Sequence, residues 1–232
     1  MTFTPRVQII DYRVGNLFSI QQACRQAGLD AFVSDSPRTL ADVDGVILPG
    51  VGAFGNAMEN LRQMHLLEPL RDYAAADRPL FGVCLGMQLL FDRSEEFGEH
   101  EGLRILSGSV RRLPEQSDGQ HRFRVPNVGW QRTWFSASAP MHSLCRNMID
   151  GQFMYYVHSY FAEPDDAADI LTFTRFGQIH YCSAVLRGNI FAVQFHPERS
   201  AQGGLQFYEN WGRLLKSRRR EPVQACETRH WA

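Results

Sequence analysis

The stretch Leu80-Phe81-Gly82-Val83-Cys84-Leu85-Gly86-Met87-Gln88-Leu89-Leu90-Phe91 constrains this chain more than any other. An apolar, β-prone run ends in a tight turn that carries one cysteine, and helical sequence follows. Gly82-x-Cys84-x-Gly86 is the thiol counterpart of the G-x-S-x-G elbow. A strand that stops abruptly and reverses into a helix crowds its neighbours, so small residues flank the reactive one. The turn lifts the sulfur out of a sheet and sets it at a helix N-terminus, whose partial positive charge stabilises an anion. A lone cysteine is most often a buried filler. The two glycines favour a nucleophile instead.

A thiol nucleophile needs a base and a group that orients the base. Ile190-Phe191-Ala192-Val193-Gln194-Phe195 reads as an apolar strand that delivers His196-Pro197-Glu198 at its C-terminal end. In extended backbone, residues i and i+2 share a side, and Pro197 disfavours helix at the residue before it. His196 and Glu198 are therefore expected to project together from the strand end.

Val46-Ile47-Leu48 runs into Pro49-Gly50-Val51-Gly52-Ala53-Phe54-Gly55, a loop with three glycines. Such a loop converges backbone N–H groups on an anion. A phosphate loop would end in Gly-Lys-Ser/Thr, and here Asn56-Ala57 follows Gly55. The dinucleotide fingerprint fails as well, for want of an early strand and a ribose-binding acid. An oxyanion hole fits better.

Cys84, His196 and Glu198 in that order, with the glycine loop, resemble the class I glutamine amidotransferases of the cysteine-triad type. Six segments carry the likeness: Ile9-Ile10-Asp11-Tyr12 with Gly15-Asn16-Leu17, Leu48 to Gly55, Gly82 to Gln88, Pro126-Asn127-Val128-Gly129-Trp130, Tyr156-Val157-His158-Ser159-Tyr160, and Phe195 to Ser200. Within that family they are most similar to the glutaminase subunits of imidazole glycerol phosphate synthases. The resemblance implies a flavodoxin-like α/β fold with a doubly wound, mostly parallel sheet. It implies Cys84 as nucleophile on the glutamine side-chain amide, His196 as base and then acid, and Glu198 as orienter. Gly50, Val51, Gly52 and Leu85 would form the oxyanion hole. Gln88 and Glu96 would hold the amino-acid end of glutamine, with Ser159 and Tyr160 lining the pocket. No cofactor or metal is implied. The partner would be a separate cyclase subunit of (β/α)8-barrel type, joined as a heterodimer in histidine biosynthesis. The alternative is a sugar amidotransferase of surface-polysaccharide biosynthesis supplied with ammonia.

Two positions depart from the family. Arg13 follows Asp11-Tyr12 where glycine is usual, which implies ordinary backbone there and a guanidinium that meets a partner or its substrate. Asn127 stands where histidine is common. Both lie in segments that face the synthase subunit in the family.

Composition excludes several other classes. A net charge of −1 over 232 residues leaves no nucleic-acid footprint. No apolar run approaches the roughly 20 residues that span a bilayer, and Met1 to Ile10 lacks a signal peptide's apolar core. The five cysteines (Cys24, Cys84, Cys145, Cys182 and Cys226) show no C-x-x-C spacing, which points to a reducing cytoplasm and away from disulfides or zinc.

Strands at 7–11, 31–34, 45–48 and 80–83 alternate with helices at 16–26, 54–61, 67–76 and 87–93, the pattern of a parallel sheet wound on both faces. Residues 103–195 are richer in β patterning. One domain is expected over 1–216, closed by a helix from Gly204 to Lys216. Residues 217–232 are expected to be a flexible tail, whose arginine run reads as a solvated charge cluster.

Overall fold

The computed structural model describes residues 3–117, 122–137, 139 and 142–218. Its core is a nine-stranded sheet. The strands are β1 (Arg6–Ile10), β2 (Asp30–Ser34), β3 (Gly45–Leu48), β4 (Leu80–Val83), β10 (Asn127–Phe135), β11 (Gln152–His158), β13 (Ile170–Phe176), β14 (Ile179–Arg187) and β15 (Ile190–Val193), in the order β11-β10-β13-β14-β15-β4-β3-β1-β2. From β15 to β2 every pairing is parallel; from β15 to β11 every pairing is antiparallel. The parallel half is the one that the alternation of strands and helices predicts.

Strands β3, β4 and β15 are buried along their whole length. Covered on both faces, they read as continuous apolar runs without alternation. On one face Phe207, Tyr208 and Trp211 of α5 (Ala201–Arg218) pack with Ile20 and Cys24 of α1 (Leu17–Gln26) against Phe81, Val83 and Phe191. On the other, Phe54, Met58 and Leu61 of α2 (Phe54–Gln63) join Leu70 of α3 (Leu67–Ala75) against Leu48 and Leu80. Among the described residues no helix is long and apolar enough to cross a membrane.

A four-stranded sheet sits beside the large one. It holds β5 (Arg93–Ser94), β6 (His100–Glu101), β7 (Gly108–Arg112) and β12 (Tyr160–Pro164), ordered β12-β7-β5-β6. A further two-stranded ribbon pairs β8 (Gln116–Ser117) with β9 (Arg122–Phe123). The chain leaves the large sheet at His158 and enters the small one at Tyr160, so Ser159 is the hinge between sheets.

Three local expectations change. The helix after the cysteine, α4, spans only Leu85–Leu89, not 87–93. The loop at 103–106 ends it: Leu103 N–H donates to Leu89 O, Ile105 and Leu106 N–H to Leu90 O, and Arg104 N–H to Phe91 O. Those carbonyls would otherwise accept the next helical turn. The closing helix begins at Ala201 and runs to Arg218, so Ser217 and Arg218 belong to it and not to a tail. Residues 219–232, with the rest of the expected tail and Cys226, lie outside the described residues. Lastly, Arg13 has φ 70°, so its backbone is left-handed and not ordinary. Asp11 Oδ1 accepts the Arg13 N–H at 3.0 Å and fixes this turn.

Candidate active site

Strands β3, β4 and β15 are neighbours in the sheet. Their C-terminal ends carry the glycine loop, Cys84, and the 194–198 segment respectively, so three segments far apart in sequence converge at one edge. Open α/β sheets bind ligands at this edge.

Cys84 adopts φ 55° and ψ −111°, a conformation that L-residues rarely hold. Its N–H donates to Val193 O at 2.8 Å, which ties the turn to β15. Gly86 is required here: a Cβ at that position would sit 1.8 Å from Leu48 O. The elbow therefore packs its helix directly against the end of β3, bringing Leu85 close to the glycine loop. In that loop Gly52 has φ +100°, and a Cβ on Gly50 would meet Tyr12 Oη at 2.6 Å and Leu85 Cβ at 2.8 Å.

His196 Nδ1 lies 2.8 Å from Glu198 Oε1, and the two side chains are 5% and 1% exposed. The contact is the expected one, but the backbone is not: Pro197–Arg199 forms a 3-10 turn, and only His196 is extended. Proline suits the first position of such a turn. The backbone of His196 is clamped, its N–H donating to Tyr155 O at 2.9 Å and its carbonyl accepting from Ser200 Oγ at 2.7 Å. Its other ring nitrogen, Nε2, is buried. Burial lowers the proton affinity of His196, but the negative charge of Cys84, hydrogen bonding to Cys84, and Glu198 outweigh it and push the imidazole up to about 10. A carboxylate, an imidazole and a thiol in this order form a relay able to move a proton on and off sulfur.

The sulfur borders a cavity of about 360 Å³, lined by Val51, Gly52, Cys84, Leu85, Gln88, Glu96, Pro126, Val157, His158, Ser159 and Tyr160. Eight of the expected site residues are thus on one wall set. Gly50 instead lies buried beneath the loop, and His196 and Glu198 are not among the lining residues. Glu96 is only 9% exposed, and its Oε2 accepts the Phe54 N–H at 2.6 Å.

The sequence reading missed a chain of buried polar groups behind this wall. Gln88 Nε2 donates to Tyr160 O at 2.8 Å and to Gln194 Oε1 at 3.0 Å, and Gln194 Nε2 lies 3.8 Å from Cys84 Sγ. Tyr160 O also bonds His158 Nδ1 at 2.8 Å, while His158 Nε2 meets Tyr181 Oη at 2.9 Å. A carbonyl only accepts, so His158 carries its proton on Nδ1. Burial first, then the charge of His196, hold His158 down at about 4 against its Tyr160 hydrogen bond. Asn127 Nδ2 donates to Tyr181 Oη at 3.1 Å, so Asn127 is an internal support and only 3% exposed. The available signal was a glutamine interrupting an apolar strand two residues before His196.

The sequence of residues 8–211 matches the family described as glutamine amidotransferase class-I. The chain belongs to that family. This amidotransferase is 41% identical over 205 residues to the protein named imidazole glycerol phosphate synthase subunit HisH of Sulfurimonas denitrificans, covering 88% of this chain and 96% of that protein. It is 39% identical over 209 residues to the protein of the same name from Aquifex aeolicus, covering 90% and 96%. Among solved structures, PurLQS from Thermotoga maritima superposes with a TM-score of 0.67 at 16% identity, covering 92% of this chain and 100% of that one. A glutamine amidotransferase from the same organism gives 0.62 at 16%, covering 95% and 87%. These two likenesses concern the fold. The chain is an enzyme of the glutamine amidotransferase class, a glutaminase.

Proposed function

We propose that Cys84, His196 and Glu198 hydrolyse L-glutamine to glutamate and ammonia, and that the ammonia passes to a separate synthase subunit. The observation that carries this reading is the joint placement of a strained cysteine, an imidazole bonded to a buried carboxylate, and a cavity of about 360 Å³ at one sheet edge. With the proton already on His196 beside the negatively charged sulfur, Cys84 adds through sulfur to the side-chain carbonyl carbon. Backbone N–H groups of the Gly50–Gly52 loop and of Leu85 receive the developing oxyanion. His196 gives the proton to the departing nitrogen, ammonia leaves, and a thioester remains. Water then attacks, giving one proton to His196 as it adds; glutamate departs and the sulfur is again an anion beside protonated His196.

Substrate positioning follows from which hydrogen bonds are already made. Both amide protons of Gln88 are used internally, so it offers a ligand only its carbonyl, suited to an N–H donor. Glu96 has one oxygen engaged by Phe54 N–H; its other oxygen suits an ammonium. Ser159 and Tyr160 complete the wall.

Ammonia is mostly ammonium at neutral pH and a poor nucleophile in that form, so an enclosed path to a second active site is required. The relatives' name, a subunit of imidazole glycerol phosphate synthase, favours the synthase partner of that enzyme over a sugar amidotransferase; the motif resemblance implies a cyclase of (β/α)8-barrel type in histidine biosynthesis. Exposed Val128 and Trp130 on β10, adjoining the pocket residue Pro126, supply apolar surface for it. The test is coupled synthesis by the mixed subunits. Cys84→Ala is expected to abolish glutamine-dependent synthesis and keep ammonia-dependent synthesis. Retained glutamine use in that variant overturns the reading.

A further inference from the structure

Gln194 is fully buried and directly follows the apolar strand β15. A buried amide needs partners for its carbonyl and its protons. Its carbonyl oxygen accepts from Gln88, and its nitrogen lies 3.8 Å from Cys84 Sγ, a normal separation for a hydrogen bond to sulfur.

Amide oxygens and nitrogens are distinguished by their hydrogen-bond networks, and here the network leaves one assignment. Tyr160 O can only accept, which fixes the nitrogen of Gln88 toward it at 2.8 Å. The same nitrogen has a second proton, which Gln194 Oε1 accepts at 3.0 Å. Gln194 must then turn its N–H toward the sulfur. His158, whose Nδ1–H shares Tyr160 O, anchors the far end. Every group along this line is buried, so rotation of any one would leave a buried donor or acceptor unpaired.

We infer that Gln194 is a further catalytic residue, which donates its Nε2–H to Cys84 Sγ and stabilises the sulfur as thiolate, in an orientation set by Gln88. The inference rests on Cys84 being the nucleophile. No proton leaves Gln194; the proton paired with the sulfur stays on His196 as before. Because Gln88 also faces the cavity, the residue proposed to hold substrate is the one that aims the donor at the nucleophile. A ligand that rotates Gln88 therefore changes the hydrogen bonding of the sulfur.

The experiment is alkylation of the full-length chain by iodoacetamide, without glutamine, with the rate followed against pH and the labelled site identified by peptide mass spectrometry. Wild type, Cys84→Ala, Gln194→Met, Gln194→Glu and Gln88→Met are compared, with circular dichroism reporting the fold. Loss of a hydrogen bond to a charged atom is expected to raise the midpoint of the rate profile at Cys84 by about one pH unit in Gln194→Met. Gln194→Glu, which keeps the shape and the acceptor for Gln88 but faces the sulfur with oxygen, is expected to raise it more. Gln88→Met is expected to raise it less, since the amide of Gln194 is freed but not removed. An unchanged midpoint in Gln194→Met overturns the inference. Should Gln194→Met fail to fold, Gln194→Ala, which lacks the donor and adds no charge, is read in its place, and an unchanged midpoint there overturns the inference. A shift in the Gln194 variants with none in Gln88→Met overturns the aiming role of Gln88. Equal labelling of wild type and Cys84→Ala instead overturns the assignment of the nucleophile, a failure distinct from the others.

Discussion

Glu96 accepts the backbone N–H of Phe54 at 2.6 Å, so an acid on the cavity wall is also the cap of the helix that follows the glycine loop. One carboxylate thus ties the β5 region to α2. Removing a helix N-cap typically costs about 1 kcal/mol, and losing a charged contact to substrate costs about 1.5–3 kcal/mol. Glu96→Ala is therefore expected to lower the Tm modestly and to raise KM for glutamine about tenfold or more. A lowered Tm with unchanged KM would leave Glu96 as a cap alone.

The charge state of His196 gives a second expectation. Its imidazole is raised from 6.5 to about 10 because Cys84 and Glu198 outweigh burial. A group whose folded value is raised lends stability that is complete below its unfolded value, here about pH 6.5, and that is lost as pH rises through about 10. Cys84→Ala removes one source of the negative charge while burial stays. The imidazole should then titrate lower, and the alkaline loss of stability should begin earlier and be smaller. Histidine NMR and Tm measured from pH 6 to pH 10 follow both; superimposable curves for the two proteins contradict the account. In catalysis, His196→Asn should reduce kcat more than Glu198→Gln, by about one to two orders of magnitude, since orienting a base contributes less than the base.

Arg13 gives the third. At φ 70° a side chain is disfavoured by about 1–2 kcal/mol, while glycine brings a compensating loss of unfolded-state entropy of about 0.5–1 kcal/mol. Arg13→Gly is expected to be neutral to slightly stabilising. Arg13→Val, branched at Cβ in a left-handed turn, should destabilise by more than 1 kcal/mol. Chemical denaturation separates the two; equal stability of the variants would mean that the turn relaxes.

Much of the site was legible because its parts are local. An elbow needs glycines two residues either side of its cysteine, and His196 and Glu198 are neighbours in any tight backbone, whether strand or 3-10 turn. What was illegible depends on distant groups. Gln194 means little until Gln88, 106 residues away, takes its carbonyl. The early end of α4 is imposed by backbone N–H groups of residues 103–106. The left-handed φ at Arg13, by contrast, belongs to a local turn closed by the Asp11 carboxylate, and the identity of an arginine does not announce it. The antiparallel half of the large sheet was visible only as β-richness, since pairing order is a property of the whole fold.

The glycine loop supplies the last expectation, that glutamine hydrolysis depends on the partner. Gly50 is pinned, since a Cβ there would collide with Tyr12 Oη and Leu85, and Tyr12 Oη bonds Pro49 O at 2.5 Å. Just beyond, Val51 is 42% exposed, and an added Cβ on Gly52 would meet nothing within 4 Å. One end of the loop is therefore fixed and the other has room to turn a peptide N–H toward or away from the substrate oxygen. A well-aimed oxyanion donor is worth about 3–4 kcal/mol, or roughly 10²–10³ in rate. Partner contacts at the exposed Arg13 and Trp130 bias that turn if they bind its two states unequally. The chain alone is expected to hydrolyse glutamine slowly, faster with the proposed cyclase, and fastest with cyclase and acceptor together. Gly52→Ala introduces no clash but disfavours φ +100°, so it should alter the ratio of activated to basal turnover. Steady-state glutaminase kinetics under the three conditions decide the matter: a single kcat throughout, unaffected by Gly52→Ala, would mean that the loop is rigid and that the partner receives ammonia without controlling its release.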